Sequence, residues 1–342
     1  MSLRNLTVSN KTHKILINKL KDKKIFQIYE KFEKELRLKD DFLVAVSGGP
    51  DSLALAFLTK IYAIKNSIKA HYFLVDHKLR KNSSEEAKFV KNLLKDYSIK
   101  LNVLNWNGKK PIKNIQSSAR FKRYNLLIQQ AQKLNIKNIL LGHHNDDLIE
   151  NFFIRMTRGS GLNGLVSFDA QSEYKGLNLI RPLLKFSKKD LIFTSKNIFE
   201  QYVEDPSNKN DKYKRTYIRN LIQSLQFQGL DKDKFNLTLK NLKFANFSMS
   251  YFVEKNIRDN SARFDEKDSI FLNKNFFNQP EEIVFRSLIE IIKTVGHKYY
   301  PVRGKKINMI IQLVNKPNPF KITLGNCLLK KVNNTIIVTK EA

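Results

Sequence analysis

The residues best suited to chemistry fall in a few short stretches. Ser47-Gly48-Gly49-Pro50-Asp51-Ser52 follows the apolar run Phe42-Leu43-Val44-Ala45-Val46 and precedes Leu53-Ala54-Leu55-Ala56-Phe57-Leu58. The first run reads as a strand buried on both faces and the second as a buried helix, which puts the glycines at a strand-to-helix turn. Two residues without Cβ let backbone N–H groups approach a ligand closely, and the first turn of a helix favours an anion; the Ser47 and Ser52 hydroxyls add donors. A bare Ser-Gly-Gly also serves in tight turns that bind nothing. The whole hexapeptide in this setting reads as a phosphate cradle. It lacks the Gly-Lys-Ser/Thr ending of a Walker loop, so it brings no lysine to a γ-phosphate, and the anion it suits is a pyrophosphate that departs.

Downstream, Asn138 to Leu141 reads as a strand that runs into Gly142-His143-His144-Asn145-Asp146-Asp147, followed by the helical stretch Leu148 to Met156. Two imidazoles and two carboxylates at a strand end can hold a metal or steer a protonated amine. Zinc would need His143 and Asp147 aligned on a helix and a third soft ligand; carboxylate oxygens suit magnesium better. A helix cap accounts for Asp146 or Asp147 on structural grounds. The stripe Leu127, Ile128, Ala131 and Leu134 of a helix over residues 115–134 continues toward its N-terminus through Tyr124, Arg123 and Arg120. Guanidinium groups there can clamp phosphates bidentately, or they snorkel or pair with Asp76. Asp76 and His77 end the strand Ala70 to Val75, where open α/β sheets bind ligands, although His77 also fits a solvated loop.

The elements that must position these groups follow from periodicity. Lys24 to Leu38 carries a helical stripe (Ile25, Ile28, Tyr29, Phe32, Leu36), and the residues before it look frayed and basic. Ser83-Ser84-Glu85-Glu86 reads as a capping box opening a helix, and Lys100 to Leu104 as a third strand. Strands and helices alternate, so the expected fold is α/β, a doubly wound parallel sheet with right-handed crossovers. Arg155 to Gly164 is a basic, glycine-rich loop. Lys212 to Asn220 interleaves cations with tyrosines, a pattern suited to phosphates and unpaired bases or to a solvated helix start capped by Asp205 or Ser207. Beyond about Leu230 the character changes: an aromatic-rich helix at Phe235 to Val253, an amphipathic one at Glu281 to Val295, and two or three short strands within Lys321 to Thr339 make a smaller α+β C-terminal domain. The expected division is a basic extension over 1–24, a catalytic domain over 25–228 and an accessory, nucleic-acid-binding domain over 229–342.

Composition bounds the partners. The 342 residues carry a formal charge of +30, +21 of it in residues 1–230 and +9 in 231–342, so basicity covers both parts and a polyanion is the natural partner. An AT-biased genome, rich in Lys, Asn, Ile and Phe codons, would also raise it. The single cysteine, Cys327, excludes an intramolecular disulfide framework and a four-cysteine zinc site. No uncharged apolar run approaches the ~20 residues of a membrane span, and residues 1–24 are too interrupted by Lys and Asn for a secretory signal. The expectation is a soluble, cytoplasmic protein without membrane partners.

Ser47-Gly-Gly-Pro-Asp-Ser52 resembles the PP-motif of the N-type ATP pyrophosphatases, whose fold is the PP-loop, adenine nucleotide alpha hydrolase-like sheet. With Val75-Asp-His-Lys-Leu-Arg80, Ala119-Arg-Phe-Lys-Arg-Tyr124, His143-His-Asn-Asp-Asp147, Arg158-Gly-Ser-Gly161, Arg181-Pro-Leu-Leu184 and Glu204-Asp-Pro-Ser-Asn208 in this order, residues 42–220 are similar to the tRNA(Ile)-lysidine synthetases. The resemblance implies an ATP-dependent ligase acting on the wobble cytidine of tRNA(Ile) with anticodon CAU. C2 of the base is adenylated at its oxygen, pyrophosphate leaves, L-lysine displaces AMP, and decoding changes from AUG to AUA. It implies ATP on Ser47, Gly48, Gly49, Pro50, Asp51 and Ser52, Mg2+ on Asp51 with Asp146 or Asp147, and Arg120, joined by Arg123, stabilising charge at the α-phosphate; Asp147 is the preferred second ligand. Carboxylates near Asp146 would also orient the lysine amine. Leu148 and Asn151 depart from the family's usual Gln and Thr, and Lys78 from a small residue such as Gly. A tRNA thiolase of the same superfamily needs cysteines that this chain lacks, and the intact loop and carboxylates oppose a non-catalytic tRNA-binding protein. A homodimer is left open.

Overall fold

In Phe42–Val46 (β1), Phe42, Val44 and Val46 pack into one core and Leu43 into another, the alternation of a strand covered on both faces. The computed structural model describes residues 11–80, 82–108, 111, 115–204, 214–264, 269–297 and 302–341. The chain divides into two compact units, residues 1–230 and 231–342.

The first unit runs α1 (Lys11–Lys19), α2 (Lys23–Glu35), β1, α3 (Pro50–Asn66), β2 (Ala70–Asp76), α4 (Ser83–Lys95), β3 (Leu101–Asn105), α5 (Ile115–Lys133), β4 (Asn138–Leu140), α6 (Asn145–Met156), α7 (Leu162–Leu165), β5 (Gln171–Tyr174), β6 (Leu177–Ile180), α8 (Lys188–Phe199) and α9 (Lys214–Phe227). Its six-stranded sheet has the order β3-β2-β1-β4-β6-β5, parallel except for the β5–β6 hairpin. Chain order reverses between β1 and β4. The segments leaving those two strands therefore diverge at their carboxyl ends and open a crevice, the place where doubly wound sheets bind ligands. One face is covered by the core of α1, α2, α3, α4 and α8, with Leu16, Phe32, Phe57, Val90 and Leu191 buried. The other is covered by Leu127, Ile128 and Ala131 of α5 against Leu43, Phe73, Ile139 and Leu179.

Several expectations change. Residues 11–19, read as frayed, form α1, because Leu16 is buried in the core and Leu20 just beyond it is too; Asp22 caps α2 through the N–H groups of Lys24 and Ile25. The capping box at Ser83 does not form: α4 starts from Asn82 without a side-chain cap, and the Ser84 hydroxyl donates to Asp76 Oδ2 at 2.6 Å. The helix begins one residue earlier than the box requires, and the Ser83 and Ser84 hydroxyls serve the buried Asp76 carboxylate instead. Asp76 also accepts the Lys78 N–H at 2.9 Å, so it is satisfied locally rather than by Arg120 or Arg123. Strands β5 and β6 were not anticipated, and half of the stretch 155–164 belongs to the end of α6 and to α7, which leaves 157–161 as the loop. Lys78 has φ +51°, the left-handed region, which is why a glycine suits that position.

The second unit contains α10 (Lys232–Asn260), β7 (Ser261–Phe264), β8 (Ser269–Leu272), α11 (Lys274–Phe277), α12 (Glu281–Val295), α13 (Gly304–Val314), β9 (Lys321–Leu324), β10 (Cys327–Val332) and β11 (Thr335–Lys340). Its separate antiparallel sheet, β7-β8-β11-β10-β9, packs against the apolar stripe of α12 (Leu288, Ile291, Ile292, Val295). The α+β reading is correct, with β7 and β8 as unforeseen strands. Among the described residues no helix is long and apolar enough to cross a membrane.

Two outcomes follow from the packing. Gly48 has φ +88°, and a Cβ there would lie 2.6 Å from Val90 Cγ2. Gly48→Ala is expected to cost about 2 kcal/mol by thermal or urea unfolding, from backbone strain plus overpacking. Arg219 Nε on α9 donates to the buried Glu150 Oε1 on α6 at 2.6 Å, so Arg219→Ala, which strands that carboxylate, should cost about 3 kcal/mol by the same measurement. A cost below about 0.5 kcal/mol in either variant would contradict this packing account.

Candidate functional site

The loop between β1 and α3 is held by one hydroxyl. Ser52 Oγ accepts the N–H groups of Ser47 and Gly48, each at 3.1 Å, and donates to Gly49 O at 2.9 Å. Ser52 is buried, so its hydroxyl shapes the cradle from behind, whereas Ser47, also within 3.2 Å of that hydroxyl, is exposed. Gly49 is the N-cap of α3 without a side-chain cap, and Pro50 occupies the first turn, where its missing N–H costs nothing. From the other side, the Val203 N–H donates to Gly48 O at 2.9 Å, and Gly142 lets the end of β4 press against the start of α3: a Cβ there would sit 3.3 Å from Ser52 Cα. The loop is thus rigid on three sides.

Asp51 projects from the first turn of α3. Both of its oxygens accept from Lys188 Nζ, at 2.7 and 2.6 Å, and Oδ2 lies 3.7 Å from His144 Nε2. The same Nε2 lies 3.6 Å from Asp147 Oδ2. His144 is the N-cap of α6: its Nδ1 accepts the Asp146 N–H at 3.2 Å, while its own N–H donates to Asp147 Oδ2 at 3.0 Å. An accepting Nδ1 places the ring proton on Nε2, between the two carboxylates. The imidazole is thus the N-cap of α6, and Asp147, which accepts the N-cap's own N–H, completes a capping box with it, as the sequence allowed; Asp146 contributes its backbone N–H. Burial works to raise the Asp147 carboxyl, but His144, His143 and the His144 N–H outweigh it and hold it below the usual carboxylate range.

Beyond Asp147 the site turns cationic. Arg120 Nη2 donates to Tyr124 Oη at 3.1 Å, and Arg120 and Arg123 lie over the Tyr124 ring at 5.1 and 5.9 Å. Arg181 donates to Asp169 O and Ser172 Oγ at 2.8 and 3.0 Å and lies 4.8 Å over Phe168, which meets His143 edge-on. Burial, then its neighbours Arg120 and Arg215, depresses Arg123. His143 is pushed down to about 3 by burial and by Arg120, Arg181 and Arg123, and His77 to about 4 by burial and Arg123; both rings are neutral at physiological pH. His77 meets Trp106 edge-on at 5.9 Å and is half-buried just past the end of β2, rather than solvated. Of the buried atoms left without a hydrogen-bond partner, His77 Nδ1, His143 Nδ1 and Arg181 Nε lie here. Such a basin can receive an anionic, hydrogen-bonding substrate.

The structure thus brings Asp51, Asp147 and, through its backbone, Asp146 together around His144, with Arg120 and Arg123 in the adjoining basin. Arg158 is exposed at the α6–α7 turn; residues 205–213, with the expected cap and the first two residues of the basic-tyrosine stretch, lie outside the described residues, and the rest of that stretch, 214–220, opens α9. Sequence reasoning missed Lys188, 137 residues away and one of many lysines, and the Arg219–Glu150 pair. Among the described residues no group of three or more His, Cys, Asp or Glu is placed to hold a metal alone. Magnesium needs less: it is held by one or two carboxylates together with substrate phosphates, and Asp51 and Asp147 flanking one imidazole fit that demand.

The PP-loop domain family matches residues 18–225. The tRNA(Ile)-lysidine synthase of Wolbachia sp. subsp. Brugia malayi is 33% identical over 302 residues, 87% of this chain and 70% of that one. That of Rickettsia felis is 30% identical over 325 residues, 92% of this chain and 74% of that one. Among solved structures, a U34-tRNA thiolase from Methanococcus maripaludis with its 4Fe-4S cluster shares the fold, with TM-score 0.56 at 15% identity over 65% of this chain and 78% of that one. Since the domain match takes in the cradle, both carboxylates and the arginine basin, and the relatives align well beyond it, this chain belongs to the tRNA(Ile)-lysidine synthases of the PP-loop family.

Proposed function

We propose that this protein joins L-lysine to the wobble cytidine of an isoleucine tRNA bearing CAU, at the expense of ATP. Family membership supports the substrate. The observation that carries the chemistry is the placement of Asp51 and Asp147 on either side of the His144 Nε2–H, directly beside the cradle formed by residues 47–52. The cytidine O2 attacks the α-phosphorus, the bond to the bridging oxygen breaks, and pyrophosphate leaves. The lysine ε-amine then attacks C2, AMP departs with its oxygen, and the amine loses a proton.

In this reading the Gly49 N–H, the first N–H groups of α3 and the Ser47 hydroxyl receive the phosphates, while Ser52, which already holds the Ser47 and Gly48 N–H groups, keeps the loop in shape. Asp51 and Asp147 would hold Mg2+, which neutralises phosphate charge when bound. Arg120, supported by Arg123 behind the Tyr124 ring, would meet the charge that grows on the α-phosphate; little covalent work falls to the protein, so positioning and electrostatics do most of it. Asp146 stands beside these groups and, with Asp147, offers the incoming lysine ammonium a negative partner. The second unit, residues 231–342, with exposed Phe244, Phe247 and Tyr251 on the long helix α10, is proposed as an accessory tRNA-binding domain. A thiolase reading is disfavoured by chemistry: Cys327, the chain's single cysteine, is buried and its thiol donates to Ile292 O at 3.3 Å.

Incubation with ATP, magnesium, labelled lysine and unmodified tRNA(Ile) bearing CAU should place label in the RNA, and chelation of the magnesium should abolish it. Asp51→Ala is expected to incorporate none; persistence of labelling would reject the site, and no labelling by the unaltered protein would reject the ligase reading. Arg120→Ala should lower the single-turnover rate of AMP-tRNA formation by about 100-fold or more. An unchanged rate would remove Arg120 from the reaction.

A further inference from the structure

We propose that Lys188 is the phosphate-binding lysine that the loop itself does not contain, and that it exchanges partners during the reaction. With no nucleotide bound it sits on Asp51; when ATP and its divalent ion arrive, the ion takes Asp51 and the ammonium moves to the β- and γ-phosphates. This inference rests on the reading of residues 47–52 as the ATP cradle.

Three observations carry it. First, Lys188 Nζ engages both Asp51 oxygens, at 2.7 and 2.6 Å, so the carboxylate proposed to hold the ion is already neutralised. An ammonium and a divalent ion on the same two oxygens repel strongly, and one of them must leave. Second, the side chain that can leave is the lysine. Asp51 is fixed in the first turn of the fully packed α3, whereas Lys188 keeps 37% of its side-chain surface exposed and swings on a flexible four-carbon stem. Third, Lys188 is the first residue of α8, the end at which the helix dipole disfavours a cation. The helix has its own cap there: Ser187 Oγ accepts the Asp190 N–H at 3.2 Å and donates to Asp190 Oδ2 at 2.7 Å. Lys188 therefore does nothing for the helix that carries it and is directed wholly at the start of α3, where the phosphate cradle opens. Once released from Asp51, a phosphate on that cradle is the nearest strong anion its chemistry would seek.

Calorimetric titration with MgATP tests this in the full-length protein and its variants, each checked for folding by circular dichroism. Lys188→Ala should weaken MgATP at least tenfold, equivalent to about 1.4 kcal/mol, and Lys188→Arg should retain most of the affinity. A lysine that only steadies Asp51 would give the same single-variant result, so the cycle with Asp51→Asn decides. If Lys188 contacts phosphate, adding Lys188→Ala to Asp51→Asn weakens ATP further. Mn2+ without nucleotide should, in addition, bind Lys188→Ala several-fold more tightly than the unaltered protein, as judged by its EPR signal. Equal MgATP affinity of Lys188→Ala and the unaltered protein, or no further loss in the Asp51→Asn background, would overturn the assignment while leaving the cradle intact. Unaltered protein that binds no MgATP would overturn the cradle, and the lysine assignment with it.

Discussion

A single carboxylate at the start of a buried helix sets the terms for everything around it. Asp51 sits where α3 begins, favoured there by the helix dipole, and the protein surrounds it with Lys188 on one side and the His144 Nε2–H on the other. Its position is as rigid as the loop before it. That loop is fastened by the Ser52 hydroxyl inside, by Val203 on Gly48, and by the bare Cα of Gly142 against Ser52. The last of these contacts exists because β1 and β4 are neighbours at the point where the sheet reverses its winding. Remove the close approach of β4 and the imidazole that links Asp51 to Asp147 loses its place.

The second theme is an imbalance of charge. Arg120, Arg123 and Arg181 converge on His143, and Arg123 also on His77; burial first and these cations second drive the imidazoles neutral, and the arginines lose solvation that Tyr124 and Phe168 replace only in part. Concentrating buried guanidinium groups is costly for stability. It makes sense where a polyanionic substrate restores the balance, and it matches the high net charge of the chain as a whole. Asp147 stands at the border between this basin and Asp51.

Much of this was legible in the sequence because it is local. The apolar run, the glycine pair and Asp51 lie within eleven residues and predict strand, turn and helix directly. Arg120 and Arg123 were visible as breaks in a helical stripe. What could not be read depends on direction and distance. The Ser52 hydroxyl turns inward to the loop's own amides, and no spacing rule distinguishes that from a hydroxyl aimed at a ligand. Ser84 turns away from its helix because Asp76 is buried beside it, a fact of tertiary packing. Strands β5 and β6 are four residues each, too short for a period-2 pattern to emerge. Lys188 is one lysine in a lysine-rich chain, and only the packing of α8 against α3 singles it out.

The central claim is that the cradle beside Asp51 delivers AMP to the tRNA and releases pyrophosphate. Isotope exchange between labelled pyrophosphate and ATP, run without lysine, tests it most directly. Label should enter ATP when tRNA(Ile) with CAU is present and should not when the RNA is omitted. Exchange that needs no tRNA, or cleavage of ATP to ADP and phosphate in place of exchange, would contradict the account.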